Sequence, residues 1–261
     1  MLPLSATSAK HIPIISHPQE QSHHVQAIAL KCLKEFGLSF AIGAAVACFS
    51  ASPYGIALIA YALVVQLAAS LIFRSLGAFA SSRYVSLCEW ALGSNFVLFT
   101  GYNAQTLLHE SGHALASLLI YKKPNPLIQI HPFVGGITEF DKTGFTSLAK
   151  RMGPVAATCL VVASGPALTL LISSGLLAVG LAIKEKHPQL GKYLVSWALF
   201  DFFNHAFYAY SAIQAEPWNL SHDFVHLSVF GLDPVVAAIG IAATPVLIQI
   251  LRTHLTHLGG L

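Results

Sequence analysis

Long stretches almost free of charge recur along this 261-residue chain, and they constrain its fold more than any other feature. Apolar runs cover roughly 36–52, 55–73, 86–121, 153–183, 193–214 and 234–251. A helix rises about 1.5 Å per residue, so about 20 such residues match the hydrocarbon thickness of a bilayer. Asp, Glu, Lys and Arg together make up only 10% of the chain, against about 25% in soluble domains. With so little charge a soluble fold could not cover its own surface, and lipid must solvate the remainder. The expected fold class is therefore an all-α, multi-pass membrane protein with about six transmembrane helices. Its expected place is integral to a membrane, the cell or inner membrane in a bacterial source.

Residues 1–35 read as a polar N-terminal tail and 36–261 as the membrane domain. A polar leader that long is unusual for a secretory signal, so the first apolar run is expected to stay as an uncleaved anchor. Within 86–121, Gly101-Tyr102-Asn103 is expected to divide the run, with Asn103 capping a helix that begins near Ala104. Lys122, Lys123, Pro124 and Pro126 then end that helix. Leu127 to His131 partly alternates and reads as a short strand, followed by the flexible pair Gly135-Gly136. Gly165-Pro166 interrupts the run 153–183.

The net charge is +3, and the basic residues fall mostly between apolar runs, as at a lipid headgroup surface. No cluster joins aromatic to basic residues, so no nucleic-acid partner is expected. Four widely spaced cysteines, Cys32, Cys48, Cys88 and Cys159, form no CxxC motif and suit neither a disulfide framework nor a thiolate metal site. The sequence does not set an oligomeric state.

His109-Glu110-Ser111-Gly112-His113 carries the chemistry. Residues four apart project from one face of a helix, so His109 and His113 can bind one ion together. Zinc suits two imidazoles plus a carboxylate, with one position left for water. Glu110, beside the first histidine, can take the proton of attacking water without ligating. In a chain with 13 histidines, chance alone produces only about 0.02 HExxH matches. The motif also lies within an otherwise apolar helix, where ionisable groups are costly and usually functional. Against this stands the plainer reading of a histidine pair solvated near the interface.

Three segments resemble the site-2 protease family of intramembrane zinc metalloproteases, and more closely its small divergent relatives. HESGHALASLL is similar to the family's motif helix, IQIHPFVGGITEF to the Gly-Gly-containing β segment that follows it, and VVASGPALTLL to the small-residue Gly-Pro helix packed beside the active site. The likeness covers roughly 100–175, with weaker matching to about 230. It implies a zinc endopeptidase acting on membrane-protein segments in the lipid bilayer, with Glu110 catalytic and His109 and His113 as metal ligands. It also implies that the β segment pairs with substrate.

The family's third ligand is an aspartate well downstream, usually followed by Gly, a motif this chain lacks. Asp223 stands at a similar separation and is the expected ligand, with Asp201 and Asp233 as rivals. Asp201 lies deep in an apolar run, whereas Asp233, just before Pro234, also reads as a helix N-cap. Asn204 and His205 could contact substrate or simply join helices, and His222 and His226 read as interfacial. A membrane zinc-binding or ion-transport protein without proteolytic activity is the alternative function. A membrane peptidase of the CAAX-processing kind would need a downstream glutamate, yet Glu139, Glu185 and Glu216 all fall in loop-like settings.

Overall fold

Among the described residues, six long helices and a small hairpin follow from this pattern. The computed structural model describes residues 18–50, 53–77, 82–219 and 221–258, with side chains placed for 26–50, 53–75, 101–219 and 221–255. Helix α1 (Pro18–Cys48) and α2 (Pro53–Gly77) form an antiparallel pair, followed by α3 (Ser82–Ile120). A two-stranded antiparallel sheet, β1 (Leu127–His131) and β2 (Gly135–Glu139), precedes the short α4 (Ser147–Met152). Then come α5 (Pro154–Ile183), α6 (Pro188–Ser211), the seven-residue α7 (Asp223–Val229) and α8 (Pro234–Leu258). Helix α1 passes the 35/36 boundary without a break.

Proline opens several of these helices because its missing N–H would have no partner there and its φ is already helical. Pro154 and Pro188 occupy the first turns of α5 and α6. Gly153, before α5, holds φ at 86°, a conformation that a side chain would strain. Asp233 caps α8, its Oδ1 accepting from Val235 N at 2.7 Å and Val236 N at 3.2 Å.

Three described helical segments, Pro53–Ser75, Pro154–Ile183 and Pro234–Leu255, are long and apolar enough to cross a membrane. Their apolar side chains largely face outward: only 6% of the apolar window of α8 is buried inside the protein. On α6 the faces divide, with Phe202 and Ala209 buried while Phe203 and Phe207 are exposed. Water would penalise so much exposed apolar surface, whereas lipid does not.

Two expected breaks are absent. Helix α3 runs unbroken for 39 residues through Gly101-Tyr102-Asn103. Gly101 faces α6, where a Cβ would make only ordinary contact, 3.4 Å from Phe200 and 3.6 Å from Trp197. Asn103 is buried mid-helix and does not cap; its Oδ1 accepts from Phe133 N in the hairpin turn at 3.3 Å. Packing against neighbours has overridden the local tendency to break. Likewise α5 continues through Pro166, which sits inside the helix.

Among the described residues, packing divides into three apolar clusters. One joins α5, α6, α7 and α8 around Phe202, Phe224 and Leu177; another joins α3, α4 and α5 around Ile120 and Val161. The third seats β1 on the first helices, through Ile130 against Val46, Ile59 and Leu63. The sheet is fixed there by Ile130 N donating to Phe49 O at 2.7 Å.

Candidate metal centre

The facing side chains of α3 start the site. His109 and His113 lie one turn apart, with their Nε2 atoms 3.2 Å from each other. His113 Nδ1 is 2.8 Å from the Val161 carbonyl on α5, and can only donate to it. The proton therefore sits on Nδ1, and Nε2 presents its lone pair toward His109. Metal-binding histidines are commonly oriented by such a bond from the other ring nitrogen.

Asp223 closes the group from α7. Its Oδ2 lies 2.7 Å from His109 Nε2 and its Oδ1 lies 3.3 Å from His113 Nε2. Donor atoms of these three residues all fall within 4.8 Å of one another, the arrangement needed to hold a metal ion. Tetrahedral donors at zinc distances stand about 3.3 Å apart, so two imidazoles and a carboxylate spaced in this way fit zinc. Burial alone would push the Asp223 carboxyl up, but the adjacent His109 and His113 imidazoles outweigh burial and hold it well below the usual carboxylate range. The Tyr208 hydroxyl fixes the backbone, accepting from Asp223 N at 3.1 Å.

Two glycines allow α3 and α5 to meet at this point. A Cβ on Gly165 would lie 2.6 Å from His113 Cε1 and 2.9 Å from His109 Nε2. One on Gly112 would lie 2.9 Å from the Gly165 Cα. The small residues of the HExxH and Gly-Pro segments thus make room for the imidazoles.

Glu110 projects beside the ligand group and is buried against β2. Thr138 Oγ lies 2.8 Å from Glu110 Oε2 and 2.9 Å from the Glu110 carbonyl, and its single proton serves one of them at a time. A Cβ on Gly136 would lie 2.6 Å from Glu110 Cγ, so only glycine lets the strand come this close. Gly136 and Thr138 are two apart on β2 and share a face. Among the described residues no further strand pairs with the outer edge of β2.

The rival aspartates lie elsewhere. Asp233 caps α8, and Asp201 is enclosed between α5 and α6 with Ser173 and His205. His222 stacks on Tyr208 and bonds Ser211 Oγ at 3.1 Å, while His226 stacks on Phe230; neither joins the ligand group. Thr138 and Tyr208 were not singled out in the sequence. Strand alternation from Gly136 could have marked Thr138, and the helical stripe Asp201, His205, Tyr208 could have marked the tyrosine. Comparison with family models, with curated proteins and with solved structures finds no match.

Proposed function

We propose that this chain is a zinc-dependent endopeptidase of the site-2 protease type, cleaving membrane-protein segments within or at the edge of the bilayer. The observation that carries this reading is the meeting of His109, His113 and Asp223 with Glu110 beside them on the same helix. A peptidase needs both parts, ligands for an electrophile and a base that does not ligate. In this reading all six long helices, α1, α2, α3, α5, α6 and α8, lie in the membrane.

His109 and His113 would hold zinc through Nε2, and Asp223 through a carboxylate oxygen. Held there, the ion would supply Lewis acidity for a peptide carbonyl and for water, whose pKa it would lower toward about 7. Glu110 accepts the proton of the attacking water on a carboxylate oxygen and returns it to the departing amide nitrogen. Thr138 orients that carboxylate. The open edge of β2 offers backbone groups to an extended chain, and Gly136 keeps that chain close to Glu110. A helical substrate must unwind locally first, because a helical peptide group has no bonds to spare for a strand edge.

Purified protein reconstituted with a transmembrane substrate tests the reading. Glu110→Gln should abolish cleavage while zinc stays stoichiometric. Undiminished cleavage by that variant would refute the mechanism. Zinc flux into proteoliposomes that ignores the same substitution would instead favour the ion-transport alternative.

A further inference from the structure

Beside the proposed ligands lies a buried polar cluster that the mechanism above does not use. Asp201 is fully buried, with 0% exposure, and Ser173 and His205 are exposed by only 2% and 4%. An acid and an imidazole enclosed in apolar helices are costly, and such groups usually mark function. Ser173 Oγ on α5 donates to Asp201 Oδ2. His205 Nδ1 lies 2.9 Å from Asp201 Oδ1 and 3.2 Å from the Asp201 carbonyl. The carbonyl contact is the better aligned, and Oδ1 has no aligned donor of its own.

Both contacts engage the same ring nitrogen, so Nδ1 carries the proton and the ring orientation is set. Nε2, at the other side of the ring, makes no hydrogen bond to any described residue. The ring lies beside that of His109, with centroids 5.7 Å apart and planes tilted by 33°. A purely structural role fits poorly. The polar contacts of His205 stay within its own helix, while Ser173 and Asp201 already tie α5 to α6 without it. Nor does His205 belong to the ligand group.

We propose that His205 is a further catalytic residue, hydrogen-bonding the scissile peptide group through Nε2, with Asp201 and Ser173 as its positioning residues. A peptide group offers both a carbonyl and an N–H, so the Nε2 edge finds a complementary partner whether or not it holds a proton. This inference rests on the metal centre proposed above.

The test uses the full-length protein loaded with cobalt(II) and titrated with acetohydroxamic acid, whose carbonyl and N–H imitate a peptide group. Binding is followed in the visible absorption of the metal. His205→Leu should keep cobalt stoichiometry and weaken hydroxamate binding about tenfold, the effect of one lost hydrogen bond. His205→Gln, which retains a polar edge, should recover most of that loss, and Asp201→Asn should fall between. On a transmembrane substrate, His205→Leu should lower kcat about 100-fold with KM changed less than about threefold. Where the leucine variant fails to fold, His205→Ala replaces it. Equal hydroxamate affinity in wild type and the leucine variant overturns the proposal, as does loss of cobalt from a folded leucine variant. Failure of wild type to bind cobalt overturns the metal centre itself, and this inference with it.

Discussion

The hydroxyl of Thr138 sits 2.8 Å from Glu110 Oε2, joining the second strand of the hairpin to the acidic residue of the HExxH helix across 28 positions of sequence. With Gly136 pressed against the Glu110 side chain, one face of the strand meets this residue at two points. Thr138→Val keeps the shape and removes the hydrogen bond. On the proposed reading, kcat for peptide cleavage should fall about 5- to 30-fold with KM little changed, while Thr138→Ser stays near wild type. Steady-state kinetics on a reconstituted substrate decide the matter; equal kcat for valine and threonine would show that the bond does not orient the base.

Metal analysis of purified variants separates the three aspartates. Asp223→Ala should lose most of its zinc, because its carboxylate contacts both histidines. Asp201→Ala and Asp233→Ala should keep it, since one carboxylate lies against Ser173 and the other caps α8. Stoichiometric zinc in folded Asp223→Ala protein would remove that residue from the ligand set.

Two glycines of α5 make a paired test. Alanine is normally favoured over glycine in a helix by about 1 kcal/mol. At Gly175, where a Cβ meets nothing within 4 Å, Gly175→Ala should be neutral or slightly stabilising. At Gly165 the new methyl would collide with both imidazoles, so Gly165→Ala should weaken zinc binding more than about tenfold. Isothermal titration with zinc, alongside thermal unfolding, reads both effects. Equal zinc affinity in the two variants would contradict the close crossing of α3 and α5.

A buried ion pair holds the first two helices together. Arg74 meets Glu35 through two contacts of 2.9 Å, and Tyr193 on α6 donates to the same carboxylate at 3.1 Å. Glu35→Ala removes the carboxylate from a buried guanidinium and should destabilise the protein by about 3 kcal/mol. The double change Glu35→Leu with Arg74→Met should cost less, because no charge then stays enclosed. Unfolding midpoints in detergent supply the comparison, and a double variant less stable than Glu35→Ala would contradict it.

What could be read from the sequence was local. The spacing of His109 and His113 follows from helix geometry, and the strand 127–131 coincides with β1. Asp233 before Pro234 already had the form of a cap. The errors at Asn103 and Pro166 share a cause: local propensity favoured breaks where packing against neighbouring helices sustains the helix. The carboxylate beside the histidines required a choice among three aspartates, because residues 114 positions apart leave no periodic trace of their meeting. The Arg74–Glu35 pair, 39 positions apart, was unreadable for the same reason, whereas Thr138 and Tyr208 carried only the weak periodic signals of their strand and helix.

Because Ile130 is bonded to Phe49, one flank of the hairpin is already occupied, and only its other flank can receive a guest. On the proposed reading, polypeptides are admitted singly and along a fixed line, so turnover resembles a turnstile. Two candidates of equal sequence merit would then be sorted by how readily each straightens, and competition between them would be a contest of local melting.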